Sequence, residues 1–174
     1  PAEAARAYEA GLALEPRAPA AHRGLRRLAA DRGDVDALLR ISASEAAVTQ
    51  DRARLAELAS ELVRGFEQAG RGEPALAWAQ RWSESAPESP EAFAACARLH
   101  GALGHDAELV DCLERQAQLL QGEARAANRR RLAQHHAAHG RDTDSIRCFE
   151  AALESDAHDL ESLDALARLL AHLT

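Results

Sequence analysis

The sequence predicts an all-α array of stacked helical hairpins, and three observations predict it. Four glycines, Gly33, Gly70, Gly104 and Gly140, recur at intervals of 37, 34 and 36 residues. Such a period belongs to a repeated supersecondary unit rather than to one globular core. Ala and Leu dominate the apolar fraction, and Glu, Gln and Arg the polar one, while aromatics reach only 3%. That is a helix-forming composition with few strand formers. Finally, apolar residues on either side of each glycine are spaced by three and four. The stretch Ala133 to Leu153 is the clearest case: a helix, a tight turn at Gly140-Arg141-Asp142, and a second helix.

Residues 1–15 form the first helix, with Ala4, Tyr8, Gly11 and Leu12 on one stripe, and Pro16 forbids its continuation. Pro19 to Arg32 is the next, burying Leu25, Leu28 and Ala29; Gly33 ends it and Asp34 can cap the helix that runs to about Val48. Thr49 or Asp51 caps a longer helix to Ala69, with Leu55, Leu58, Leu62 and Phe66 inward. Pro74 lies in the first turn of the following helix, which carries Leu76, Ala79 and Trp82. Ser89-Pro90 opens a helix with Phe93, Cys96, Ala97 and Leu103 inward, and Asp106 begins its partner with Leu109, Val110, Leu113 and Leu120. The remaining helices end at His139, run over 142–154, and run over about 160–172. The expectation is ten helices in one continuous repeat domain over 1–174. It comprises a half repeat (1–16), hairpins over 19–50, 51–87, 90–121 and 124–157, and a terminal half repeat (160–174). Stacking supplies the core, because a single hairpin cannot bury both of its faces.

Net charge is −7, and all 21 basic residues are Arg, a bias that fits a GC-rich, bacterial genome. An acidic chain is poorly suited to binding a phosphate backbone, so no nucleic-acid partner is expected. No run of 18 apolar residues exists, so no membrane insertion is expected either. Met is absent even at residue 1, which suggests a processed or excised chain. Cys96, Cys112 and Cys148 lack metal-knuckle spacing and fall at helix-core positions, as buried reduced thiols would. Such thiols favour a reducing compartment, cytoplasm over periplasm, without fixing it.

The hairpins resemble the tetratricopeptide repeat family. The matching residues are Ala75…Pro87, Phe93…Cys96-Ala97…Gly104, Leu132-Ala133…Gly140…Phe149…Ala152, and Ala4…Tyr8…Gly11…Pro16. Small residues there permit close helix approach. Arg26 stands where a small residue is usual, Glu45 and Gln116 where Ala is usual, Ser42 where an aromatic is usual, and Gln50, Gln121 and Ala157 replace Pro. The resemblance covers essentially the whole chain. It implies a right-handed superhelix whose concave face, lined by the first helix of each hairpin, binds a peptide or protein segment.

Six residues before the turn glycines stand Arg27, Arg64, Arg98 and Gln134, with Arg168 in the equivalent place on the last helix. In the resembled family this column faces the groove. Guanidinium groups about 10 Å apart, the usual helix-packing distance, would suit a carboxylate-rich ligand. Arg130, within the basic run Arg129-Arg130-Arg131 and one turn from Arg125, is a further candidate. The bland alternative is solvated arginine paired along its own helix, as Glu61–Arg64, Arg64–Glu67 and Asp164–Arg168 spacings allow. Glu57, Glu91 and Glu161 fall on the same surface and make the groove one of mixed charge.

His135 and His139 lie one helical turn apart and could chelate a metal, but no third ligand is visible, so no metal is expected. His136 shares a column with Phe66 and His100 and should face the core. Trp82 should pack between hairpins; Trp78 is either packed or an anchor for a partner. No phosphate-binding loop, nucleophile elbow or paired catalytic carboxylates occur, so no catalysis and no cofactor are expected. The reading is a protein-binding scaffold with an acidic peptide or protein partner. A spacer or regulatory segment of a longer protein, self-associating through its end helices such as Leu163, Leu166 and Leu170, is the alternative.

Overall fold

The structure, a computed structural model, describes residues 2–172. It contains α1 (Ala2–Leu14), α2 (Pro19–Asp31), α3 (Val35–Val48), α4 (Arg52–Gln68), α5 (Gly72–Ser85), α6 (Pro90–Leu103), α7 (Asp106–Leu119), α8 (Gly122–Ala138), α9 (Asp142–Ser155) and α10 (Leu160–His172). No strand occurs among the described residues. Every boundary lies within a residue or two of the sequence expectation, because caps and breakers set them locally. The Asp34 carboxylate accepts from the Ala37 N–H at 2.9 Å, and Asp51 accepts from Ala53 N–H at 2.9 Å. Ser89 Oγ accepts from Ala92 N–H at 3.2 Å. Of the two caps proposed for α4, Asp51 takes the role, while Thr49 Oγ1 donates back to the Glu45 carbonyl.

The four hairpin turns have one construction. The residue after each glycine donates its N–H five residues back: Asp34 to Ala29, Arg71 to Phe66, His105 to His100 and Arg141 to His136, at 2.8–3.0 Å. This closure needs a left-handed residue at the glycine, and Gly104 supplies it with φ 77°.

The helices sort into two compact units, one ending at Pro87 and one beginning at Glu88. In the first, α1 packs on α2, α2 on α3, α3 on α4 and α4 on α5. Its core is Leu39 and Ala46 of α3 with Leu58 and Leu62 of α4, and Ala43, Leu55, Phe66 and Trp78 pack around them. Gly65 leaves a slot on α4 that a Leu39 methyl fills, so α3 and α4 approach closely. Trp78 is thus packed, and Arg81 lies over its ring, 4.7 Å from the centroid. The α1 stripe is less buried than its pattern suggests. Ala4 and Tyr8 are exposed and Gly11 and Leu12 half-buried, because α1 packs chiefly on α2. The Tyr8 ring lies over Gly24, where a Cβ would collide with it.

In the second unit, α6 packs on α7, α7 on α8, α8 on α9 and α9 on α10. Phe93, Cys96, Leu99, Leu109, Leu113, Leu132 and Phe149 are buried. His136 and His100 face the core as expected, whereas Cys148 is half-buried rather than enclosed. Ser145, fully buried, donates to the Ala133 carbonyl at 2.9 Å and ties α9 to α8.

Candidate functional site

The first helices of the hairpins carry the candidate arginines. In the first unit, Arg26 of α2 bonds both Glu45 of α3, at 3.4 Å, and Glu61 of α4. Glu45 is only 8% exposed and takes two further bonds from Arg54, Nε at 3.1 Å and Nη2 at 2.8 Å. Arg54 also holds Glu57 at 3.0 Å. The Glu45 hydrogen bonds outweigh burial and raise the Arg54 pKa above its already high ordinary value. Arg26 and Glu45, two residues that depart from the repeat pattern, are therefore partners. Their ion pair laces three helices where small residues would otherwise let them touch.

The Arg26–Glu61 contact ties α2 to α4, the helices that carry Arg27 and Arg64. Both guanidinium-bearing side chains are exposed, and neither has an ion-pair partner among the described residues. A cleft of about 530 Å³ opens between the start of α2, the end of α3 and the start of α4, lined by Arg17, His22, Arg23, Glu45, Asp51 and Arg54. His22 Nε2 lies 2.9 Å from the Pro16 carbonyl, while its buried Nδ1 has no hydrogen-bond partner.

In the second unit, Arg98 is exposed on α6. Arg130 on α8 is half-buried and bonds Asp159, with Glu161 at 3.2 Å. Asp159 is at the start of α10, where Ser162 N–H and Oγ donate to it at 3.2 and 2.7 Å. Burial pushes the Asp159 carboxyl up, but the Ser162 hydrogen bonds and the Arg130 guanidinium together hold it below the usual carboxylate range. Arg168 is exposed and tied to Asp164, as its helical spacing suggested. Arg125 and Arg129 line a separate cleft of about 400 Å³ with Gln121 and Glu154.

Asn128, buried, donates to Gln116 at 2.7 Å, so a second departure from the repeat pattern also meets a polar partner on the next helix. Cys112 lies against Cys96, and that contact and burial push its thiol above the usual range. His135 and His139 stack with ring centroids 4.4 Å apart, and Asp106 of α7 faces them both. Sequence offered no sign of that carboxylate, because only the packing of α7 on α8 brings it there.

Short turns closed by left-handed glycines, hairpins packed on one another within each unit and exposed polar first helices define a tetratricopeptide-type helical repeat fold. Solved structures of that kind share it at low identity. MamA is similar with a TM-score of 0.61 and 14% identity, over 85% of this chain and 78% of that one. A Podosopora anserina kinesin light chain with nearly identical TPR-like repeats matches with a TM-score of 0.58 and 20% identity, over 89% of this chain and 86% of that one. YrrB, described as a TPR protein with an unusual peptide-binding site, matches with a TM-score of 0.59 and 14% identity, over 92% and 80%. No protein-family model matches the chain, and no curated protein sequence does.

Proposed function

We propose that this protein is a non-catalytic scaffold that binds an acidic peptide or protein segment along its first helices. The observation that carries the reading is the pair Arg27 and Arg64. They stand exposed on α2 and α4 without an ion-pair partner among the described residues, while Arg26 and Arg54 of the same helices are neutralised. A carboxylate ligand would find two unengaged guanidinium forks there, each able to bind it bidentately. Arg98 of the second unit, itself engaged, is a candidate contact within that unit. Arg130 and Arg168 belong to it as exchangeable sites, since a ligand must displace Asp159, Glu161 or Asp164 from them. The fold it shares with YrrB, a peptide-binding protein by its description, supports this reading.

The test is selection of a phage-displayed random peptide library on the untagged protein, then titration of the winning peptides by calorimetry. Acidic sequences should be enriched, and Arg27→Glu/Arg64→Glu should weaken them about tenfold or more with helicity unchanged. Neutral winners, or acidic ones indifferent to the double variant, overturn the assignment. Self-association is a second reading, favoured by Leu160, Leu163 and Leu170, which stand 74%, 45% and 46% exposed on α10. Sedimentation that stays monomeric at high concentration removes it.

A further inference from the structure

A set of side chains outside the arginine surface converges on one point between α7 and α8. His135 stands on the last turn of α8 and His139 caps its end, and Asp106 at the start of α7 reaches toward them. One donor atom from each lies within 4.8 Å of the other two. His139 Nε2 is 3.2 Å from Asp106 Oδ2, and His135 Nε2 is 3.8 Å from Asp106 Oδ1. A tetrahedral ion with N and O ligands at about 2.1 Å places its donors about 3.4 Å apart, within the 4.8 Å that bounds the three donor atoms here.

Hydrogen bonding decides between a proton and a metal. His139 Nδ1 lies 2.8 Å from the His135 carbonyl, an acceptor only, so Nδ1 carries the hydrogen. In the neutral ring, Nε2 therefore presents a lone pair to a carboxylate oxygen. A proton there would satisfy His139 and Asp106 alone. His135 Nε2 would stay as it is, buried with no hydrogen-bond partner and 3.8 Å from the nearest carboxylate oxygen, beyond hydrogen-bond reach. A cation at the shared point satisfies all three atoms at once.

We propose that Asp106, His135 and His139 form a site for one divalent transition-metal ion of the zinc class, with water as its fourth ligand. The His139 Nδ1–H···O=C bond is the outer-shell contact that fixes a ligating tautomer. The carbonyl end of α8 favours a cation, and Arg141 opposes one. Two imidazoles and one carboxylate suit zinc, cobalt, nickel or copper better than magnesium or calcium. The ion would clamp the α6/α7 hairpin to the α8/α9 hairpin.

The test is titration of untagged protein with Co²⁺ and with Zn²⁺ at neutral pH, followed by calorimetry, visible absorption and thermal melting. The expected result is one ion per chain, ligand-field bands of tetrahedral Co²⁺ that Zn²⁺ abolishes, and a higher Tm with Zn²⁺. Asp106→Asn and His139→Gln, both at exposed positions that the fold tolerates, should each lose more than about tenfold in affinity, since even outer-shell changes act on that scale. His158→Gln, an exposed histidine in the loop before α10, should bind as the parent does. Absence of Co²⁺ bands and of a Tm shift overturns the proposal. So does binding that survives His139→Gln or Asp106→Asn.

Discussion

Replacing Glu45 by Ala installs the residue that the repeat pattern prefers, yet it should destabilise this protein. Glu45 is buried and accepts hydrogen bonds from both Arg26 and Arg54. Stripping the partner from a fully buried ion costs about 3–5 kcal/mol. Here the loss is smaller, because Arg26 keeps Glu61, Arg54 keeps Glu57, and their side chains stay 22% and 33% exposed. What disappears is mainly the two-pronged Arg54 contact, and a hydrogen bond to a charged group contributes about 1.5–3 kcal/mol. The expected cost of Glu45→Ala is therefore about 2 kcal/mol in urea unfolding. Arg26→Ala should cost less in the Glu45→Ala background than in the parent, since one of its two carboxylate partners is already gone. The assay is a double-mutant cycle, in which contacting residues show coupling of about 0.5 kcal/mol or more. A Glu45→Ala variant as stable as the parent, or two substitutions that simply add, would refute the view that these departures compensate one another.

Three further expectations concern the second unit. Asp159 is held below the usual carboxylate range, so its contribution is present above the ordinary Asp value of about 3.9 and lost as pH falls through the lower folded value. The acid limb of stability should flatten in Asp159→Asn, and an unchanged limb contradicts the assignment. His100 is buried, and chiefly for that reason its imidazole titrates below the ordinary value of about 6.5. The unfolded chain then takes up the proton first, so stability should fall as pH drops below about 6.5; His100→Phe, which copies Phe66 in the equivalent column, should blunt that fall in pH-dependent melts. Ser145→Ala removes the Ser145–Ala133 tie between α9 and α8 and should cost about 1 kcal/mol; calorimetric melting that shows no loss discards it as a contributor.

How much was legible beforehand depended on the range of the interaction. Asp34, Asp51 and Ser89 act on backbone groups two or three residues away, and Gly104 on its own φ, so helix boundaries could be read directly from the chain. Spacing likewise identified Leu58, Leu62, Leu109 and Leu113 as interior, because a helix repeats every 3.6 residues wherever it is placed. The Asp164–Arg168 pair needed only one turn of one helix.

Composition and periodicity by themselves determined the helices, their order and the hairpin turns. Whether Arg26, Glu45, Gln116 and Asn128 were flaws or partners, and which acids Arg130 would hold, depended on helix-to-helix packing. Asp106 meets His135 and His139 for the same reason. An amphipathic pattern states which side of a helix is hidden but not which side chain of the next helix lies opposite. Charge pairing and ligand geometry act across that gap, so the tertiary structure alone decided them.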